Sequence, residues 1–386
     1  MEYHDSDEAK QLAAEARVFM DDVVIPTERE YLGDGPVPED VIADLRDEAR
    51  ERGIYCPQIH EEHGGGGYDF ADVLPLFEEA GRSLLGATAM RVDAPDEGNM
   101  HTIELVGTES QKEEFLEPLV AGELRSGFSM TEPRDGAGSD PKMMRTRAEK
   151  DGDEWVINAN KYWITNAPYA DFAMVFARTS GEDGDYDGVT CFLVDADNPN
   201  YEVARIHRTM GMTPGGHGEL NLSDCRVPED RVMGEVGGGF QAAMNWIGGG
   251  RINIAASAVG NAQYLLDLAV DYAKDRETFG KPISRRQGIS FQLADLATDI
   301  EQVRHLYRYA AWKIKNDERA RKEESMAKWK GAQLNNKAAD IAMQVFGGAG
   351  FMKDQPIERQ YRSARVLRIF EGTDEIQQRT IARELF

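Results

Sequence analysis

DGDEWVINANKYWITNAPYADF (residues 151–172) reads unlike the sequence on either side of it. Apolar and aromatic residues come in short runs, 154–157, 162–165 and 172–177, and turn residues such as Asp151-Gly152 set them apart. Runs at 189–194 and 219–222 extend the pattern, with glycine-bearing turns at 181–184 and 187–188 before them. All five predict β-strands. No long helical pattern separates them, so the spacing implies a small barrel or sandwich rather than a parallel sheet.

Outward from this region the periodicity changes to the three-to-four spacing of amphipathic helices. Upstream, residues 5–23, 39–52, 71–82 and 110–121 carry it, with Thr108 or Ser110 placed to cap the last of these. HGGGGYD (63–69) interrupts as a loop. Downstream, residues 240–275, 291–316 and 321–346 each run beyond 20 residues, and long helices joined by short loops favour a bundle. The chain therefore reads as α, then β, then α, divided into residues 1–125, 126–235 and 236–386.

Composition narrows the function. With 69 acidic against 44 basic residues the formal charge is −25, which repels nucleic acid unless a basic groove exists, and none is legible. Only 14 of the basic residues are lysine, so the surface resembles the acidic, lysine-poor surface of proteins from salt-in halophiles. No run of about 18 apolar residues occurs, which argues against a membrane span. The polar start MEYHDSDEAK does not read as a secretory signal or a transit peptide, and the expected location is the cytoplasm. Cys56, Cys191 and Cys225 are far apart, and the seven histidines show no ligand spacing, so no metal site is expected.

Familiar catalytic signatures are missing: no strand–GxGxxG–helix unit and no GxSxG occur. The glycine clusters at 237–239, 248–250 and 347–350 read by themselves as caps or turns. Three other clusters concentrate unusual residues. FSMTEPRDGAGSD (128–140) is a hydroxyl- and glycine-rich loop. KYWITNAPYADF (161–172) places Trp163 and Thr165 on one face of a strand, with Tyr162 and Ile164 on the other. RIFEGTDEIQ (368–377) sets Glu371 after the apolar Ile369 and Phe370, just before a helix that Thr373 can cap and whose dipole Asp374 and Glu375 complement. A carboxylate among apolar neighbours has a raised pKa and is a candidate base, although a plain helix-entry loop would look the same.

Taken together, TEP…GAGSD, KxWITN, DRETFGKPI (275–283), QVFGGAGF (344–351) and FEGT (370–373) resemble the acyl-CoA dehydrogenase family in order and spacing, over essentially the whole chain. The resemblance implies an α+β, mostly α fold: an N-terminal helical domain, a middle β-barrel-like domain and a C-terminal four-helix bundle. It also implies an FAD cofactor, an acyl-CoA substrate, electron-transferring flavoprotein as partner and a homotetramer. Phe128, Met130 and Thr131, with Trp163, Ile164 and Thr165, would hold the flavin ring. Arg276, Thr278, Phe279 and Gln287 would reach FAD across a subunit boundary, and Gln344, Gly347 and Gly348 would meet its phosphates. Thr373 and Glu375 would touch the dinucleotide, while Ser139, Arg251 and Gly372 would contact substrate.

Glu371 would then remove the α proton of the thioester, and the β hydrogen would leave as hydride to flavin N5, giving a trans-2-enoyl-CoA. Related readings are a flavin oxidase of the same fold, of acyl-CoA or nitroalkane type, and a non-catalytic FAD- or acyl-CoA-binding relative. The chain departs from the family pattern in three ways, one being that GGGRI (248–252) lacks the acidic residue many members have for the CoA contact. Arg134 and Asp135 lengthen the TEP…GAGSD loop, and Gly250 stands where some branched-chain members carry their base. APDEGNM (94–100) and GGHGEL (215–220) resemble a subgroup that takes long or branched acyl chains, and Gly248–Gly250 would leave room for a bulky one unless they serve a tight helix crossing.

Overall fold

The computed structural model describes residues 5–31, 35–185, 187–211 and 216–386; residues 1–4 of the acidic start, Gly215 of GGHGEL and the side chain of Asn245 lie outside the described set. Helices come first: α1 (Asp7–Phe19), α2 (Ile25–Glu30), α3 (Glu39–Glu51), α4 (Phe70–Ala80), α5 (Gly86–Ala89), α6 (Asp96–Val106), α7 (Glu109–Gln111) and α8 (Glu117–Ala121). Strands β1 (Ser126–Ser129), β2 (Arg147–Asp151), β3 (Glu154–Thr165), β4 (Phe172–Arg178), β5 (Val189–Asp195), β6 (Tyr201–His207), β7 (His217–Pro228) and β8 (Val232–Met233) follow. The long α9 (Gly239–Asp275) leads to a small hairpin, β9 (Glu277–Thr278) and β10 (Lys281–Pro282). Four helices close the chain: α10 (Gln287–Lys315), α11 (Arg321–Phe346), α12 (Pro356–Ala364) and α13 (Asp374–Leu385).

Local sequence explains most of these boundaries. Thr108 caps α7 through a reciprocal box with Gln111. The helices predicted at 5–23 and 110–121 are each interrupted by a π turn, Met20–Val24 and Lys112–Leu116. Each turn directly precedes a proline-bearing helix start, at Pro26 and Pro118, where no N–H can continue the ladder.

The middle strands form one sheet in the order β6-β7-β3-β2-β4-β5-β8, with β1 pairing in parallel to β4. Among the described residues the sheet is open, with β6 and β8 at its ends, so the expected barrel does not close. The runs predicted at 154–157 and 162–165 belong to one strand, β3, whose register against β7 shifts between Lys161 and Ile164. Trp163, at φ +57°, sits in that bulge. Across the bulge Ile164 is buried, Trp163 exposed and Thr165 half-buried, the burial order that the expected alternation of Trp163 and Thr165 against Ile164 requires.

In the last third, α9, α10 and α11 pack on one another, and α13 lies along α11. The first helices join them where α4 crosses α9 at two glycines. A Cβ on Gly81 would lie 2.0 Å from the Ser257 carbonyl oxygen, and one on Gly260 would lie 1.6 Å from the Glu78 oxygen. The tight crossing is thus about two to three turns beyond Gly248–Gly250, whose Cβ positions meet side chains instead of a neighbouring backbone. Among the described residues no helix is long and apolar enough to cross a membrane. Gly260→Ala should lower the unfolding free energy by about 1–3 kcal/mol, the usual cost of overpacking, because the obstacle is backbone and cannot rotate away; a denaturant melt checks it, and unchanged stability would show that the crossing relaxes freely.

Candidate active site

One face of α9 gathers contributions from every part of the chain. Trp246, Gly250 and Asn253 recur at the i, i+4, i+7 spacing that lines up side chains on a helix. From the sheet region, Phe128 stacks on Trp246 with ring centroids 4.4 Å apart and planes at 21°. From α6, Gly98 backs onto the same indole so closely that a Cβ would lie 2.1 Å from Nε1. That Nε1–H donates to Asn99 Oδ1 at 3.1 Å. One turn on, the Glu371 carboxylate rests against Gly250, whose missing Cβ would lie 2.6 Å from Oε2. A further turn on, Asn253 Nδ2 donates to Glu97 Oε1 at 3.1 Å.

The turn that delivers Glu371 is strained and braced. Glu371 has φ +50° and Gly372 φ +92°. A non-glycine residue held there costs about 1–3 kcal/mol and persists only where its surroundings impose it. Here two buried side chains do so. Gln377 Nε2 donates to the carbonyls of Glu371 (2.9 Å) and Gly372 (3.1 Å), and Lys328 Nζ donates to that of Gly372 at 2.7 Å. A Cβ on Gly372 would lie 2.8 Å from Gln377 Nε2, so glycine is required at that position for space as well as for φ. Thr373 caps α13 through its hydroxyl, which accepts the Ile376 N–H. The Glu371 N–H donates to no group among the described residues.

Burial sets the electrostatics. Glu371 Oε2 is buried without a hydrogen-bond partner among the described residues, and desolvation lifts the carboxyl to about 7 against the opposing pull of Lys328 and Arg251. Its neighbours respond in kind. Glu97 rises to about 8 through desolvation and the charge of Glu371, opposed by the Asn253 hydrogen bond. Lys328 falls to about 8 through burial, opposed by Glu371 and Asp374. Arg251 is likewise lowered by burial, with Glu371 and Glu324 acting against it, and its Nε is buried without a partner among the described residues. The apolar Ile369 and Phe370 do not create this environment: they are 54% and 38% exposed. The carboxyl is desolvated instead by packing at α9 and α11.

The other singled-out residues fall into two groups. In the sheet region, Trp163 stands 59% exposed at its bulge, and Thr165 Oγ1 lies 3.0 Å from His217 Nδ1. Thr131 accepts the Tyr162 N–H through its carbonyl, and Met130 accepts Lys161 Nζ at 3.1 Å. Ile164 turns its side chain into the sheet's own core. Glu132 holds the loop 132–146 by accepting the backbone N–H groups of Ala137, Arg145 and Thr146, so Arg134, Asp135 and Ser139 ride on its exposed tip.

The second group sits at the far end of α9. Tyr272 stacks on Phe346 at 4.1 Å and so joins the end of α9 to the end of α11. This brings the exposed Arg276 and Phe279 (95% exposed) and the half-buried Thr278 into the region of exposed Gln344, Gly347 and Gly348. Gln287 opens α10 beside them, and Glu375 lies exposed on the first turn of α13.

Three family models match: acyl-CoA dehydrogenase N-terminal domain over residues 6–123, middle domain over 127–225 and C-terminal domain over 237–386. The chain belongs to the acyl-CoA dehydrogenase family. It is 37% identical over 335 residues to an acyl-CoA dehydrogenase of Bacillus subtilis, covering 87% of each. It is 34% identical over 348 residues, 90% of each, to the caffeyl-CoA reductase-Etf complex subunit CarC of Acetobacterium woodii. The solved butyryl-CoA dehydrogenase of Megasphaera elsdenii superposes with a TM-score of 0.89 at 33% identity, covering all of both chains.

Acyl-CoA dehydrogenases bind FAD, and the residues present suit it. A Cβ on Gly347 or Gly348 would have nothing within 4 Å, which leaves backbone open to a phosphate. Next to Phe128 and Met130, Ser129 Oγ is buried without a partner among the described residues. Sequence reasoning missed Glu97, Asn253, Lys328 and Gln377. A charged or amide residue inside a helical pattern looks solvated until the fold buries it, and no local signal separates the two. Gly250→Ala should keep its flavin yet reduce that flavin about 10²-fold more slowly with acyl-CoA, the cost of displacing a reacting group by about an ångström; stopped-flow absorbance measures it, and an unchanged rate would show that Glu371 has freedom to retreat.

Proposed function

We propose that this acyl-CoA dehydrogenase desaturates an acyl-CoA thioester between its α and β carbons, with Glu371 as the base, yielding the trans-2-enoyl-CoA. The observation that carries this reading is the Glu371 carboxyl: desolvated, without a hydrogen-bond partner at Oε2 among the described residues, pressed to the α9 glycine and poised at about 7. A base matched to neutral pH suits the removal of a weakly acidic α proton. The unpaired Glu371 N–H suits a developing enolate oxygen, which needs a preorganised donor. Bound FAD supplies the hydride acceptor. Phe128, Met130, Thr131, Trp163 and Thr165, with the backbone of Ile164, would hold its ring. Arg276, Thr278, Phe279, Gln287, Gln344, Gly347, Gly348, Thr373 and Glu375 would hold its remainder, and Ser139, Arg251 and Gly372 would meet the substrate.

The reading extends to electron-transferring flavoprotein as the acceptor, by analogy with the Etf-complexed relative, to a homotetramer that brings Arg276 and Phe279 to a neighbouring subunit, and to the cytoplasm. The division at residues 125 and 235 belongs to it as well. A carboxyl near 7 holds a proton about half the time at neutral pH, so the same residue can return the α proton in the reductive direction that the caffeyl-CoA relative's name describes.

Anaerobic titration with acyl-CoAs of different length and branching should bleach the flavin. Glu371→Gln should retain FAD and lose about 10²–10⁴-fold in reduction rate, the range for general-base catalysis; near-normal turnover in that variant would refute the assignment. Because Glu371 acts ionised, flavin reduction should fall as pH drops through about 7. Lys328 holds that pKa down, so Lys328→Met should move the acidic limb to higher pH, and a limb that stays in place would remove Lys328 from the electrostatics.

A further inference from the structure

Gly250 and Asn253 share one face of α9, three residues apart, a rise of about 4.5 Å along the axis. Glu371 occupies the first position and Glu97, held by Asn253, occupies the second. Two carboxyl groups therefore flank one helical turn, and Glu97 feels the charge of Glu371 across it. An acyl chain whose α carbon lies at Glu371 and whose tail follows the α9 face meets Glu97 and Asn253 after about three to four carbon–carbon bonds.

That end is polar and incompletely satisfied. Asn253 is 6% exposed, and while its Nδ2 donates to Glu97, its Oδ1 has no partner among the described residues. Glu97, lifted to about 8, is mostly a neutral acid at pH 7 and can donate a hydrogen bond as well as accept one. An alkyl tail pressed here would leave that buried acceptor unpaired. A carboxylate tail would add a third acidic group. A hydroxyl can donate to Asn253 Oδ1 and accept from the Glu97 acid at once.

We propose that Glu97 and Asn253 form a hydrogen-bonding end wall that selects acyl-CoAs whose acyl group carries an uncharged hydroxyl about one helical turn beyond the carbon deprotonated by Glu371. This rests on the dehydrogenase reading above. The test compares 5-hydroxypentanoyl- and 6-hydroxyhexanoyl-CoA with pentanoyl- and hexanoyl-CoA, as anaerobic flavin reduction by the FAD-loaded enzyme at pH 7. The better hydroxylated substrate should exceed its plain counterpart at least about 10-fold in kcat/KM, since a site built to pair a hydroxyl rejects the analogue lacking it. Glu97→Leu and Asn253→Leu should each reverse that order, while Glu97→Gln, which keeps a donor and an acceptor, should preserve it. Plain acyl-CoAs that match or surpass the hydroxylated ones in the native enzyme would overturn the end wall while leaving the dehydrogenase intact, and this ratio decides even where a leucine variant fails to fold. A hydroxyl preference that survives both leucine variants overturns it too. Failure of every acyl-CoA to bleach the flavin would instead strike down the dehydrogenase reading, and the end wall with it.

Discussion

The contact between the Glu371 carboxylate and the bare backbone of Gly250 is the constraint on which the rest of this site depends. A carboxyl can come so near a helix axis only where that helix presents no side chain. It can stay unsolvated only where other elements close around it. The long α9 meets both conditions, because the stacked Phe128 and Trp246, the Gly98 backbone and the Asn253–Glu97 pair all pack on the same face. Remote sequence segments thus converge on one stripe of a single helix, and the geometry around Glu371 is a by-product of how the three regions are joined.

Two cations face Glu371, Lys328 and Arg251, and still the carboxyl stands above its ordinary range. Desolvation outweighs the pair because both cations are themselves buried and pushed down in the same low-dielectric environment. Lys328 has a second task, since its ammonium also holds the Gly372 carbonyl and so helps to impose the left-handed turn. The brace and the charge come from one atom, which ties the conformation of Glu371 to its proton affinity.

The α–β–α order was legible from periodicity alone, and α9 and α11 were bounded to within a residue because their long apolar stripes leave little ambiguity. Strands β2 and β6 were not legible: RAEKD and YEVARIH are largely exposed and lack the apolar alternation that marks a half-buried strand. The β3 bulge was missed for a related reason, since a register shift depends on the partner strand and leaves no trace in KYWIT itself. The barrel expectation failed because closure depends on how the end strands pair, which no single run encodes.

The site shows the same limit more sharply. Glu371 stood out through its FEGT context, but the environment that tunes it comes from burial and from residues 251 and 328, both distant in sequence, and Lys328 does not stand out in its own segment. Charge within a helical pattern is a weak signal, because a solvated face and a buried network read alike until packing decides between them. Lys328 is fully buried amid a run of otherwise helix-favouring residues, and Glu97 follows directly on Asp96, whose carboxylate instead anchors Arg91 and Ser126. Two adjacent acids on α6 therefore serve opposite ends: Asp96 locks the helix to the sheet region, and in doing so it fixes the azimuth at which Glu97 must face α9. The direction in which Glu97 faces is in this sense a consequence of the joint between the first two regions, set by the hydrogen bonds that Ser126 donates to Asp96.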